Sequence, residues 1–402
     1  MLKECYSSIK RSLINTSSNT ALRALPRSAP YLLRSQLPAR ILVPSLLLVL
    51  LSGAEPLSWA GDHGKTRTAL GYSIDFGISA DQRSLPLDVA ELKTAAEAGN
   101  PVAQNNLAYL YTFGLEVPQD YPEAAHWYKR AAAQGFAAAQ YNLGALYERG
   151  LGVARNLAEA GRLYQAAAEQ GHVLAQSRLG MLYEHGLGVA ASARDAMKWY
   201  RAAAEQGDRS AQCNLGQGYF SGQGVPRDLR EAANWFRKAA EQGMAAAQNN
   251  LAALYHHGWG LAKDYEQALR WYRAAAEQGL AAAKSNLGVM YEDGLGVQKD
   301  YAHAAHWYRA AADQGDRSGQ YDLANLYSVG RGVPLDYVSA YVLYSLASSS
   351  GDDRSSHELK RLSKRMTPRQ VEQAQAQLAN KKTLQPAHET EASSLVPLPE
   401  GK

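Results

Sequence analysis

The chain has 402 residues, 46 % of them hydrophobic and 20 % charged, with a formal charge of +4. That composition is ordinary for a soluble fold. Residues 1–60 hold seven cations against two acids, a net of +5, so the remainder carries −1 and shows no nucleic-acid footprint.

The first 40 residues are rich in Arg and Ser and nearly free of acids. An 11-residue apolar core, ILVPSLLLVLL, follows at 41–51, and then come the small residues Ser52, Gly53, Ala54, Ser58 and Ala60. This pattern reads as a secretory signal cut after Ala54 or Ala60, and the core is short for a membrane span. The expected location is the periplasm or outside of a bacterial cell. An uncleaved inner-membrane anchor, and an organellar or cytoplasmic location, are the alternatives; an overlong gene start is a simple explanation for the lead. No Cys follows the apolar core, which argues against a lipoprotein anchor. Residues 61–86 read as a linker, and 87–99 (LDVAELKTAAEAG) as an N-terminal capping helix.

From there a 36-residue interval governs the chain. It carries Gly135, Gly171, Gly207, Gly243, Gly279, Gly315 and Gly351, a tyrosine column from Tyr111 to Tyr327, and a leucine column from Leu107 to Leu323. A fixed period of this size means stacked supersecondary units. In the unit 136–171, Ala139, Leu143, Leu146 and Tyr147 fall on one helical stripe until Gly150 and Gly152 interrupt it. A second helix starts near Asn156, with Asp120, Asp228, Asp264, Asp300 and Asp336 as N-caps in other units. Asp120 with Glu123 and Asp228 with Glu231 fit the capping box. Its large apolar residue is Trp127, Trp199, Trp235, Trp271 or Trp307, with Leu163 and Leu343 in the other two units. Seven helix pairs fill residues 100–351. Thr367 and Pro368 then open a helix within C-terminal caps at 352–382, and 383–402 reads as a disordered tail.

The motif A-x-x-Q-x-N-L-G-x-L-Y-x-x-G-x-G-V…D-x-x-x-A-x-x-W-Y-x-x-A-A-x-Q-G resembles the Sel1-like repeat, a relative of the tetratricopeptide repeat. Residues 281–315 match it almost throughout, with Lys284 in place of Gln; Glu116 replaces the second loop glycine of the first unit. The resemblance implies an all-α, right-handed α/α superhelix of seven helix pairs with helical caps. It also implies a concave face lined by the first helices.

The residues that carry chemistry elsewhere have structural readings here. Ser7-x-x-Lys10 fits a serine–lysine hydrolase signature but lies in the targeting segment. Cys213 has no partner in the mature chain, since Cys5 is removed with the leader. His256–His257 and His303/His306 lack further ligands at fixed spacing. The Asp column caps helices, the Tyr111 column reads as core, and the Gln104 and Asn106 columns read as ladders that satisfy backbone groups. No catalytic set, metal or cofactor is expected.

The inner columns, starting at Asn105, Tyr109, Thr112 and Phe113, are where the units disagree with one another. The candidate contact residues are Tyr109, Phe113, Tyr141, Arg149, His185, Phe220, His256, His257, Asp293 and Tyr321. Aromatic anchors with mixed charge suit a protein or peptide segment. The expected function is therefore a non-enzymatic protein–protein scaffold of the bacterial envelope. The alternatives, by family analogy, are a β-lactamase-like or peptidoglycan-related hydrolase and a polysaccharide-assembly scaffold.

Overall fold

A computed structural model describes residues 89–384; the segments expected to be a targeting sequence and a linker, and the tail beyond 384, lie outside these residues. Among them are seventeen α-helices and no strand. Helix α1 (Val89–Glu97) precedes the seven pairs. The pairs are α2 (Pro101–Phe113) with α3 (Tyr121–Ala133), α4 (Ala137–Arg149) with α5 (Leu157–Glu169), and α6 (Val173–His185) with α7 (Ala193–Glu205). Next come α8 (Arg209–Ser221) with α9 (Leu229–Glu241), and α10 (Ala245–His257) with α11 (Tyr265–Glu277). The last two are α12 (Ala281–Asp293) with α13 (Tyr301–Ala312), and α14 (Arg317–Val329) with α15 (Tyr337–Ser349). Helices α16 (Asp353–Ser363) and α17 (Pro368–Leu384) pack on α15. Each helix touches chiefly the ones before and after it in sequence, so the protein is a helical solenoid.

The joints explain the period. Each first helix stops at a left-handed glycine, as at Gly150 (φ 74), whose N–H reaches the Leu146 carbonyl. Two residues on, Gly152 (φ 67) meets the preceding unit: a Cβ there would stand 2.2 Å from the Tyr121 carbonyl oxygen. The same contact recurs at five later glycines, from Gly188 to Gly332, so this column is a docking point between units. Glu116 is the exception, a non-glycine at φ 59, in the unit that follows the short helix α1.

Each second helix is capped by Asp, Asn or Ser; Asp120 Oδ1, for example, accepts the Glu123 N–H at 2.9 Å. The Asp120 N–H donates to the Tyr111 carbonyl at 2.9 Å, and the equivalent bond closes every loop through Asp336. This corrects the capping-box expectation. The cap N–H is already used, and Glu123 instead accepts from Trp127 Nε1 at 2.9 Å.

The core also differs from the sequence reading. Its deepest large side chains are Tyr128, Tyr164, Tyr200, Phe236, Tyr272, Tyr308 and Tyr344, one from each second helix. Trp199, Trp271 and Trp307 are only half-buried. The Tyr111 column is likewise half-buried for the most part, because its hydroxyls point to the preceding unit. There they accept from Arg201, Arg237, Arg273 and Arg309.

The Gln ladder is present and is bivalent. Gln176 donates from Nε2 to the Ala168 carbonyl at the end of the preceding unit's helix, and accepts at Oε1 from Gln206 of its own unit at 2.8 Å. This stitches three helices and occupies carbonyls that a helix end leaves orphaned. The pattern holds from Gln104 to Gln248.

Candidate binding face

The first helices present four variable columns along one side of the stack. Their burial divides the ten candidate residues. Phe113, Arg149, Phe220 and His257 are half-buried, and His185 and Asp293 are exposed. Tyr109, Tyr141, Tyr321 and His256 are less than a tenth exposed. For those four the anchor role is revised, because their rings are already engaged within the protein. Tyr141 stacks on His172 at 4.9 Å, Tyr321 carries the Arg354 guanidinium at 4.3 Å, and Tyr109 tilts against Phe113 at 4.6 Å. They form the floor, and the Phe113 column forms the reachable row.

The column of Thr112 explains itself through the core. In the second, third and sixth units it is a Glu that accepts from the buried tyrosine: Tyr164 to Glu148 at 2.7 Å, Tyr200 to Glu184 at 2.6 Å, and Tyr308 to Glu292 at 2.8 Å. In those three units the residue four positions earlier is Gly144, Gly180 or Gly288, and the tyrosine ring occupies the space a Cβ would take. The fourth unit has Phe220 in the Glu column and Phe236 in the tyrosine column, so loss of the hydroxyl coincides with loss of its acceptor. Where the position holds Ala108, Ala252 or Ala324, no Glu follows.

An aromatic cluster crosses the fourth and fifth units. Phe220 lies 5.6 Å from Trp259, and Trp259 stacks on His257 at 4.2 Å. His257 in turn stacks on His256 at 4.5 Å. Burial, then the charges of His257 and Lys263, depress His256 to a pKa of about 4. Burial likewise lowers His257, again with help from Lys263. Both rings are therefore neutral near pH 7 and act as flat, weakly polar surfaces.

Farther along, the face turns acidic. Burial raises the carboxyls of Glu292 and Asp293, and pushes Asp322 up to about 8. Cys213 is buried and its thiol is pushed up to about 12, which suits a filler and not a nucleophile. Among the described residues, no three His, Cys, Asp or Glu side chains are grouped as a metal site requires. His303 pairs with its own helix cap, its Nδ1 2.7 Å from Asp300 Oδ2.

The Sel1 repeat model matches seven consecutive segments, 101–136, 137–172, 173–208, 209–244, 245–280, 281–316 and 317–352. The chain belongs to the Sel1 repeat family. It is similar to c5321, a protective antigen of uropathogenic Escherichia coli with this fold, at 33 % identity and a TM-score of 0.57 over 72 % of each chain. A Sel1 repeat protein from Oxalobacter formigenes is 39 % identical, with a TM-score of 0.50 over 56 % of this chain and 89 % of its own. None of the curated proteins matches the chain.

Two residues of the face escape a reading by Sel1 columns. Trp259 stands in a loop row that holds Leu115, Leu151, Leu187 and Leu295 in four units and Gln223 and Arg331 in two. Asp322 stands in a column of Asn with one Arg. In both cases the signal is departure from the repeat, and a search for matches to the motif passes over it.

Proposed function

We propose that this Sel1 repeat protein is a non-enzymatic scaffold that binds a protein segment along the first-helix face. Support comes from the division just described. The framework columns are spent on stacking, while divergence between units collects in the reachable row around Phe113, Phe220, His257 and Trp259. Solenoids of this kind commonly serve as interaction surfaces. We further propose that it acts in the bacterial envelope, on the strength of the leader at 1–60; the 33 % identical relative is itself described as a protective antigen. Aromatic side chains in a partly desolvated cluster dominate interface energies, so the cluster at the fourth and fifth units is the primary anchor.

The test is capture of partners by the full chain expressed in its native host, compared with Phe220→Ala and Trp259→Ala. The expected result is one retained envelope protein that both variants lose. Equal retention by the variants would remove the face, and retention of only cytoplasmic proteins would remove the location.

A further inference from the structure

The second helices turn a face of their own to solvent. Two of its columns start at His126 and Lys129, and in the first six units every member except Arg237 is exposed. These twelve side chains include eight Lys or Arg and no acid. One column holds Arg162, Lys198 and Arg270; the other holds Lys129 and four arginines at the 36-residue interval from Arg201 to Arg309. The acids of the same helices stand at their ends, in the first turn, as Asp195, or at the last residue, as Glu205. Residues 61–402 carry −1 in all, so with these eight cations set aside the rest sum to −9. Hydration alone would accept either sign on such a face, whereas a single sign suits a partner of the opposite one. The cations also stop where solvent stops. In the seventh unit the two columns hold Val342 and Ser345, and Val342 is buried in a cluster with Ala374 of α17.

Little of this charge is cancelled within the protein. Among the described residues, Arg162 alone of the eight forms an ion pair, with Glu159 at 2.6 Å. The arginines from Arg201 to Arg309 each direct one nitrogen to a tyrosine hydroxyl of the next unit, not to a carboxylate. That bond steadies the side chain and leaves its charge uncompensated. Indoles share the face. Lys198 lies 5.0 Å from the half-buried Trp199 ring, and Arg270 lies 5.3 Å from the half-buried Trp271 ring.

We propose that the second helices of the first six units form a separate docking surface, whose partner is an anionic phospholipid membrane. Charge complementarity carries the choice of an anionic partner. Lipid is favoured over a soluble polyanion by apolar side chains that water alone does not need. Leu115, Leu187, Val329 and Leu335 are the large apolar side chains most exposed among the described residues, at 36–57 %, and all four lie in or beside loops that lead into second helices. Cations with indoles and exposed aliphatic side chains are the mixture that settles at a headgroup boundary. Lipid phosphates meet the guanidiniums of the Arg201 column, and Leu115 and Leu187 enter between headgroups. The first-helix face stays free for its own partner, so the two surfaces work at once.

The experiment sediments the full chain with vesicles of phosphatidylglycerol and phosphatidylcholine in equal parts. Two variants lose the same net charge. One neutralises the face (Lys198→Gln, Arg201→Gln, Arg270→Gln, Arg273→Gln), and the other neutralises cations of α1 and the first helices (Lys93→Gln, Arg209→Gln, Lys284→Gln, Arg317→Gln). Gln165 and Asn234 already occupy these columns, so neutral side chains fit the stack. The leader at 1–60 is itself cationic but is common to every variant, so the contrast reads the helices alone. Each Lys or Arg close to an anionic surface is worth about fivefold, so the first variant should bind at least about fiftyfold more weakly and the second within about fivefold of wild type. A charge-keeping set, Arg201→Lys, Arg270→Lys and Arg273→Lys, should also stay within about fivefold. Leu115→Ser with Leu187→Ser should weaken vesicle binding and leave heparin binding unchanged. Equal affinity of the two neutral variants, or a Lys set as weak as the Gln set, would overturn the proposal. So would a face variant that loses heparin while keeping vesicles. If the neutral variants bind vesicles alike while Phe220→Ala still loses a captured partner, the scaffold reading stands and the membrane surface does not.

Discussion

Asn142 donates from Nδ2 to Oδ1 of Asn105, 3.1 Å away on the first helix of the preceding unit. Asn286 repeats the bond to Asn249 at 2.9 Å. Between them Asn250 has both side-chain polar atoms buried without a partner, because the position facing it holds Cys213. A thiol is a poor substitute for a carboxamide oxygen. Cys213→Asn should therefore raise stability by about 1 kcal/mol, the net value of one restored hydrogen bond. Denaturant unfolding checks this, and a variant less stable than Cys213→Ser would refute the ladder.

Gly180 makes room for a ring. A Cβ there would lie 2.7 Å from the Tyr200 ring, whose hydroxyl reaches Glu184 at 2.6 Å. Gly180→Ala should push the ring aside and break that bond, at a cost of about 2–3 kcal/mol from overpacking and a lost hydrogen bond from the buried hydroxyl. Unfolding of Gly180→Ala alongside Gly180→Ala/Tyr200→Phe separates the two effects. Equal stability of wild type and Gly180→Ala would show that the ring has slack.

The docking glycines should be less forgiving. At Gly224 a Cβ would meet the Ala193 carbonyl oxygen at 2.2 Å, and backbone cannot step aside as a ring can. Gly224→Ala should cost more than Gly180→Ala and should split thermal unfolding into two transitions, as neighbouring units uncouple. The reverse change, Glu116→Gly, should gain about 1 kcal/mol by relieving a left-handed residue. A single sharp transition in Gly224→Ala would count against the docking role.

Asp322 sets a pH dependence. Its folded pKa, about 8, lies above the ordinary carboxyl value of 3.8. The folded state therefore prefers the protonated form. Stability from this group is full below about pH 4 and is lost progressively as pH rises toward 8. Asp322→Asn cannot ionise, so its advantage over wild type should be absent at pH 4 and grow to a plateau above pH 8. Parallel melting curves across that range would show that the carboxyl is solvated.

The fold was legible because the stacking rules repeat. Gly, Asp and Gln columns each name a joint, and the structure shows a left-handed stop, a cap and a bivalent bridge at those places. The identity of the core was less legible. Trp and Tyr stand side by side at positions such as Trp127 and Tyr128, and periodicity alone does not say which points inward. Packing decides it: the small residues Ala108 and Gly144 open a slot that takes the flat ring of Tyr128 or Tyr164. The face was partly legible. Variable columns located it, but variability does not separate a floor residue such as Tyr141 from a reachable one such as Phe113. Asp322 and Trp259 show the complementary signal, a residue that breaks its column.

The Gln ladder ends before the stack does. Lys284 takes the place of Gln in the sixth unit, and Gln320 in the seventh leaves its Oε1 unpartnered. The bivalent Gln bridge is thus present in five units and missing from the last two. Under tension between its two ends, such a rod has graded stiffness. It should yield first near Gly279, so a cargo tethered to the last two units could be let out on a compliant arm while the rest stays rigid.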